Sequence, residues 1–222
     1  MLIAEELFLL LRRDDGKPES ASAQRGYGLA AAVITDLVLA ERVTLSDDKD
    51  PRMTVLVPGP AGHPALDAAL ARLGERNGKK LSSLVTDRRM SVEQPVATAL
   101  AAAGVIRIEE KRALGFVPTK YPVLDPEPER RTREQLRAVL QGGTARPEDA
   151  TLLAILQGLG VVKKVLPDET GSLGRRELKR RIEEVSTEIK AGEAVAKAVA
   201  AMNAAIITAA ILPAIAAGGS SG

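Results

Sequence analysis

The sequence predicts a mainly α-helical protein, a compact multi-helix single domain that also contains two β-hairpins, each preceded by a helix. Aromatic residues make up only 2% of the 222 residues although 45% are hydrophobic, so the core must consist of Leu, Ile, Val and Ala. Ala and Leu favour helices over strands, and apolar residues recur at helical spacing through most of the chain. No connection is longer than one compact domain tolerates.

The predicted elements follow from periodicity and from turn residues. They are, in order, helices at 2–13 and 27–40 with a polar loop at 17–26 between them, a hairpin at 42–57, helices at 64–75, 79–89 and 91–104, a second hairpin at 105–120, helices at 130–141 and 147–159, a charged helix and a long terminal helix. The domain is expected to span residues 1–217, with a flexible tail at 218–222.

Composition and charge exclude several classes of function. The net charge of +2 gives no global attraction to nucleic acid, so any anion site must come from local clustering. Cysteine is absent, which excludes disulfides and thiolate chemistry and fits a reducing compartment. The N-terminus lacks the features of a signal peptide. We therefore expect a cytoplasmic protein.

Catalytic and metal motifs are also absent from the sequence. His63 is the only histidine and stands where a loop becomes a helix, with no partner motif, so it is interpreted as a helix-start residue. The acidic turn at 47–50 lacks the ligands of a calcium loop, and Gly158-x-Gly160 is not a nucleotide fingerprint. The sequence predicts no enzyme activity, no metal and no cofactor.

The turn of the second hairpin holds an unusual apolar tip. Leu114, Gly115 and Phe116 form this tip in a chain with only two Phe residues. Cations flank it at Lys111, Arg112 and Lys120. Cations beside an exposed apolar tip suit an anionic membrane surface, and the same tip would gain similar apolar energy against a neighbouring subunit. Both interpretations remain open at this stage.

Two further basic clusters stand out. Arg88 and Arg89 end a predicted helix, where cations also favour the helix dipole. In the charged helix around Arg175–Glu184, opposite charges three or four residues apart indicate a solvated, self-paired face.

The terminal segment at 198–217 contains no charge and has the length of a membrane span. It is rich in Ala and includes Asn203, Thr208 and Pro213, so its hydrophobicity is weak for a span. We expect a buried or half-buried helix here rather than a transmembrane one.

Several stretches together resemble the Golgi phosphoprotein 3 family, in its bacterial, actinobacterial-like form. They are LIAEELFLLLRRDDGK, GLAAAVITDLVLAERVTL, ALAAAGVIRIEEKRALGFVPTKYPVLDP and RAVLQGGTARPEDATLLAILQGLGVVKKVLP. The resemblance implies a helical, peripheral-membrane protein that binds phosphatidylinositol 4-phosphate in a basic pocket beside a hydrophobic hairpin. That hairpin is linked to membrane insertion and oligomerisation.

The family's pocket residues are not present in this chain. The pocket Trp falls near Ala21, and three pocket Arg fall near Ala30, Met90 and Glu93. The candidate headgroup residues are therefore the nearby Arg25, Arg88 and Arg89.

Three functions are weighed from these residues. The first is a non-enzymatic protein that binds anionic phospholipid headgroups at the inner face of the plasma membrane. The second is an interaction or homo-oligomerisation module that uses the 105–120 hairpin and has lost phosphoinositide binding. The third is a winged-helix-like DNA binder. Nucleic acid is the least favoured partner because the helices at 27–40 and 92–103 carry no Arg or Lys.

Overall fold

The computed structural model describes residues 1–13, 15–18, 22–109, 119–187 and 200–201, with the side chains of 22–24 excepted, and confirms the mainly α-helical fold. The described helices are α1 (Ile3–Leu10), α2 (Ser22–Leu39), α3 (Pro64–Gly74), α4 (Leu81–Thr86), α5 (Glu93–Ala102), α6 (Glu127–Leu140), α7 (Pro147–Gly158), α8 (Val162–Val165), α9 (Pro167–Thr170) and α10 (Arg175–Thr187). A 3-10 turn, Arg88–Met90, lies between α4 and α5.

The first predicted hairpin is confirmed. Strand β1 (Val43–Leu45) pairs antiparallel with β2 (Met53–Val55), in a register that places Thr44 opposite Thr54. The base of the second hairpin is present as two antiparallel bridges, Ile106 to Val123 and Glu109 to Lys120. Its tip, residues 110–118, lies outside the described residues.

Helices α1, α2 and α7 form the centre of the fold, where each packs against the other two. The sequence of α1 is apolar on almost every face, as expected for a helix that is surrounded by others. Gly28 of α2 is required where the three helices meet, because a Cβ there would stand 3.0 Å from Leu159 and 3.3 Å from Leu7. The remaining elements cover this centre. Helices α3, α4 and α5 pack around α1 and α2, whereas α6 and α10 pack on α7.

Two parts of the predicted element order are wrong. Residues 22–26 were expected in a polar loop but belong to α2, so Arg25 is a helical residue. The run of Gly26 and Gly28 disguised the helix start, since glycine disfavours helices unless packing requires it. The short helices α8 and α9 were not predicted because four residues carry too little periodicity to detect.

The predicted terminal helix at 198–217 lies almost wholly outside the described residues, and only Ala200 and Ala201 are described, both as helical. None of the helices in the described ranges combines the length and the apolar character that a bilayer crossing requires.

The start of α1 is held by a side chain from α2. The Asp36 carboxylate accepts hydrogen bonds from the backbone N–H groups of Ile3, at 2.9 Å, and Ala4, at 3.0 Å. Helix N-termini leave such donors without an intrahelical partner, and these two are buried. Asp36 therefore acts as the N-terminal cap of a helix 32 or 33 residues earlier in the chain.

His63 ties α3 to the same region. Its Nδ1 accepts from the N–H of Ala65, which caps α3, so Nε2 is the nitrogen that donates to Oε1 of Glu5 at 3.1 Å. The other oxygen of Glu5 accepts from the N–H of Leu2. The structural interpretation of His63 as a helix-start residue is confirmed.

Two carboxyl groups near the start of α1 have strongly raised pKa values. Burial raises the pKa of Asp36 to about 7, against the opposing effect of the hydrogen bonds from Ala4 and Ile3. Burial also raises the pKa of Glu6 to about 7, partly offset by the charge of Arg146. Oε2 of Glu6 is buried and has no hydrogen-bond partner among the described residues. Both groups therefore make folding sensitive to pH near neutrality.

One arginine organises the loop after β2. The Arg42 guanidinium donates to the carbonyl oxygens of residues 57, 58, 59 and 60, at 2.7–3.4 Å. The loop presents Leu56 and Val57 to solvent, with 53% and 48% of their surface exposed.

We expect Asp36→Ala to lower the free energy of unfolding by about 2–4 kcal/mol, because two buried N–H groups lose their acceptor. The matched control is Asp125→Ala, which removes an exposed carboxylate that accepts from the N–H of Glu127 at the start of α6. That change should cost only about 0.5–1 kcal/mol. Urea unfolding of both variants makes the comparison, and equal losses would show that the Asp36 cap has no special weight.

We expect Glu6→Gln to flatten the dependence of stability on pH. The pKa of Glu6 is raised from an ordinary value of 4.5 to about 7, so its contribution to stability is complete below pH 4.5 and is lost as the pH rises through 7. Between pH 5 and pH 8 the wild type should lose about 2 kcal/mol more than Glu6→Gln. Urea unfolding at several pH values measures this, and identical slopes would contradict it.

Candidate functional site

A cleft of about 370 Å³ lies between the N-terminal part of α2 and the connection from α4 to α5. It is lined by Gly26, Tyr27, Val85, Asp87, Arg88, Ser91 and Glu93. The lining residues thus include one cation, two carboxylates and the hydroxyl groups of Tyr27 and Ser91. The cleft therefore carries both signs of charge.

Asp87 shapes one wall of the cleft. Its Oδ1 accepts from the N–H of Arg89 at 2.9 Å, which caps the 3-10 turn, and its Oδ2 accepts from Nε of Arg76 at 2.6 Å. The hydrogen bond from Arg89 lowers the pKa of Asp87, and Arg76 acts in the same direction, so the carboxylate stays ionised. Arg72 donates to the carbonyl of Ser91 and fixes the far end of the turn.

Arg88 is the cation that this wall presents to the cleft. It is exposed, and within the described part of the chain its side chain makes neither an ion pair nor a hydrogen bond. The same holds for the neighbouring Arg89. Arg88 can therefore receive an anion in the cleft without breaking an existing ion pair, and Arg89 is exposed next to it in the chain.

Glu93, at the start of α5, also lines the cleft and is the centre of a buried ion cluster. Its Oε1 pairs with Arg12 and lies 3.7 Å from Arg25. The exposed fractions of the three side chains are 4% for Arg12, 10% for Arg25 and 25% for Glu93. Burial lowers the pKa of Arg12, and the Glu93 carboxylate opposes that shift. Glu93 thus opposes the loss of positive charge that burial favours at Arg12.

Arg12 also connects the cleft to the base of the second hairpin. Its guanidinium carbon lies 3.9 Å from the ring centre of Phe8 and 4.6 Å from that of Tyr121, and cations favour such positions over aromatic faces. Tyr121 follows the bridge residue Lys120. Gly16 packs against the same strand so closely that a Cβ there would stand 2.6 Å from the backbone of Tyr121 and Pro122.

The predicted headgroup residues differ in exposure and in whether they line this cleft. Arg88 lines it, Arg89 is exposed beside it, and Arg25 is buried against Glu93. Lys120 lies at the hairpin base, bridged to Glu109. The other hairpin residues predicted for contact, Lys111, Arg112, Leu114, Gly115 and Phe116, lie outside the described residues.

The family's pocket positions are divided in the same way. Ala30 and Met90 are buried in the core, at 1% and 0% exposure, so neither position faces the cleft. Glu93 lines the cleft with a charge opposite to that of the family's Arg. Ala21 lies outside the described residues.

Sequence reasoning missed Arg12 and the carboxylates of Asp87 and Glu93. The signal for Arg12 was its position four residues after Phe8, at the end of an otherwise apolar helix, which indicates a buried cation in need of a counter-charge. Nothing in the sequence identifies Glu93 as that counter-charge, because the two residues are 81 positions apart.

Two other clefts are less suited to a charged ligand. One, of about 390 Å³, is lined mainly by apolar residues of α3 and the loop after β2. The other, of about 330 Å³, contains Arg133, whose side chain is already paired with Glu129 and Glu169. No cluster of three or more metal-binding side chains occurs within the described ranges.

Comparison with known proteins adds one finding. The sequence profile of the Golgi phosphoprotein 3 (GPP34) family matches residues 3–202. The match includes every helix from α1 to α10 and all the residues that line the cleft. No curated protein matches the chain.

Proposed function

Since the chain belongs to the Golgi phosphoprotein 3 family, we propose that it is a non-enzymatic peripheral-membrane protein whose cleft binds the headgroup of an anionic phospholipid. The observation that carries this proposal is an exposed arginine pair, Arg88 in the lining of the cleft and Arg89 next to it in the chain, with no ion-pair partner among the described residues. Such a protein acts on the cytoplasmic side, at the inner face of the plasma membrane.

The second hairpin supports membrane attachment beside the cleft. Two antiparallel bridges form the base of this hairpin, and the cluster around Arg12 links that base to Glu93. A headgroup in the cleft and an apolar tip in the acyl region would add their free energies, as two weak anchors must do for stable attachment. We propose the tip as the second anchor.

A second candidate function is an interaction module without lipid binding. The specific observation in its favour is that Glu93 already pairs with Arg12 and Arg25, which leaves fewer cations for a headgroup. This function places the hairpin at 105–120 in a contact with a second subunit.

We expect Arg88→Glu/Arg89→Glu to reduce co-flotation with phosphatidylglycerol vesicles at least about 30-fold. Each cation near an anionic leaflet contributes roughly a fivefold gain in affinity, and charge reversal replaces attraction by repulsion. The matched control is Arg175→Glu/Arg176→Glu, an exposed arginine pair on α10, which packs on α6 and α7 away from the cleft. Equal losses of flotation in both variants would show that the loss depends only on the net charge of the protein.

We expect Leu114→Ser/Phe116→Ser to abolish flotation while leaving the mass in solution unchanged, because the tip would lose its apolar contact with the acyl chains. The matched control is Leu56→Ser/Val57→Ser, which removes an exposed apolar pair from another loop. If the tip variant instead lowers the mass measured by light scattering and still floats, the hairpin is a subunit contact and the second function holds.

A further inference from the structure

We propose that Glu93 determines which headgroup the cleft accepts: a monoanionic phosphodiester that carries hydroxyl groups, as in phosphatidylglycerol, and not a dianionic phosphomonoester. The inference rests on the proposed function, because it names the ligand class of the same cleft. It makes Glu93 a specificity-determining residue.

A ligand inside the cleft meets charged groups of both signs. Among the described residues, the lining offers one guanidinium, that of Arg88, and two carboxylates, those of Asp87 and Glu93. Asp87 is already paired with Arg76. A singly charged phosphodiester pairs with Arg88, and its hydroxyl groups can donate to carboxylate oxygens. A dianionic phosphate would bring its second negative charge toward Glu93, whose own cations Arg12 and Arg25 do not line the cleft.

Two further cations, Arg12 and Arg25, lie behind the Glu93 carboxylate. Arg12 and Arg25 are almost fully buried and do not line the cleft, and the carboxylate to which both are paired does. Glu93 therefore occupies the position between two guanidinium groups that a phosphate oxygen would otherwise take. The Glu93 carboxylate is the anion at that position, so a phosphomonoester could bind there only if this side chain moved away.

This arrangement has a specific consequence. Removing the negative charge of Glu93 leaves the buried Arg12 without that counter-charge, which is unfavourable unless another anion enters. The variant Glu93→Gln should consequently gain affinity for phosphate groups and be stabilised by them. The wild type should show neither effect.

The first experiment compares vesicles of equal surface charge that carry either phosphatidylglycerol or phosphatidylinositol 4-phosphate, with neutral vesicles as the blank. The wild type is expected to float better with phosphatidylglycerol than with phosphatidylinositol 4-phosphate, and equal flotation would contradict the inference. Glu93→Gln is expected to prefer phosphatidylinositol 4-phosphate by more than tenfold. A wild-type preference for the phosphomonoester at equal surface charge would overturn the inference while the proposed function stands, and this arm needs no variant.

Soluble glycerophosphoglycerol, added as a competitor, separates a headgroup site from surface attraction. Competition with the wild type shows that the phosphodiester itself is bound in the cleft. If the protein floats and the competitor has no effect even in large excess, the cleft does not take this headgroup and the inference fails, although membrane attachment remains.

The second experiment measures thermal unfolding with increasing inorganic phosphate at constant ionic strength, so it does not depend on membranes. The melting temperature of Glu93→Gln should rise with phosphate, because ligand binding to the folded state stabilises it, and that of the wild type should not. The control is Glu169→Gln, which removes another buried carboxylate placed between two arginines, Arg133 and Arg137.

The outcomes of the two experiments separate the two proposals. If the wild type floats with no anionic vesicle, the proposed function fails, and the phosphate measurement still decides the role of Glu93. No phosphate effect in Glu93→Gln, or an equal effect in Glu169→Gln, would show that Glu93 does not occupy an anion site.

Discussion

The fold depends on a carboxylate from α2 that accepts hydrogen bonds from the buried N–H groups at the start of α1. Helix α1 is apolar on nearly all sides and is surrounded by α2, α5, α6 and α7, so its first N–H groups cannot reach water. Asp36 accepts two of them. The same burial that makes this cap necessary also raises the pKa of Asp36 and of Glu6. Packing and pH dependence are therefore two results of one arrangement.

A buried charged group also lies at the C-terminal end of α1, and there it is a cation, Arg12. Arg12 is buried against the rings of Phe8 and Tyr121, and its counter-charge comes from Glu93 on α5. This second pairing lies at the surface of the cleft rather than deep in the core. The counter-charge that Arg12 needs therefore lies in the candidate binding site. A change in the charge of Glu93 would affect the packing of α1 as well as the site. Family membership sets the fold, and this local pairing sets the chemistry of the cleft.

Sequence patterns predicted those features that depend on neighbours in the chain. The long helices, the first hairpin and the exposed pair Arg88 and Arg89 follow from periodicity and local charge. The beginning of α2 did not, because Gly28 is justified by its contacts with Leu7 of α1 and with Leu159, which directly follows α7. The Arg12–Glu93 pair did not either, since charge patterns reveal partners three or four residues apart and these are far apart in sequence. The residues near Ala30 and Met90, which the family resemblance marks, prove to be core residues.

The loop after β2 has a consequence for how the protein meets its surroundings. A single guanidinium, that of Arg42, engages four successive carbonyl groups, so the loop has few alternative conformations to lose. It nevertheless exposes Leu56 and Val57. An apolar surface that is already ordered can be covered at little entropic cost, which makes this loop a favourable first point of adhesion in a concentrated solution and a natural seed for crystal growth.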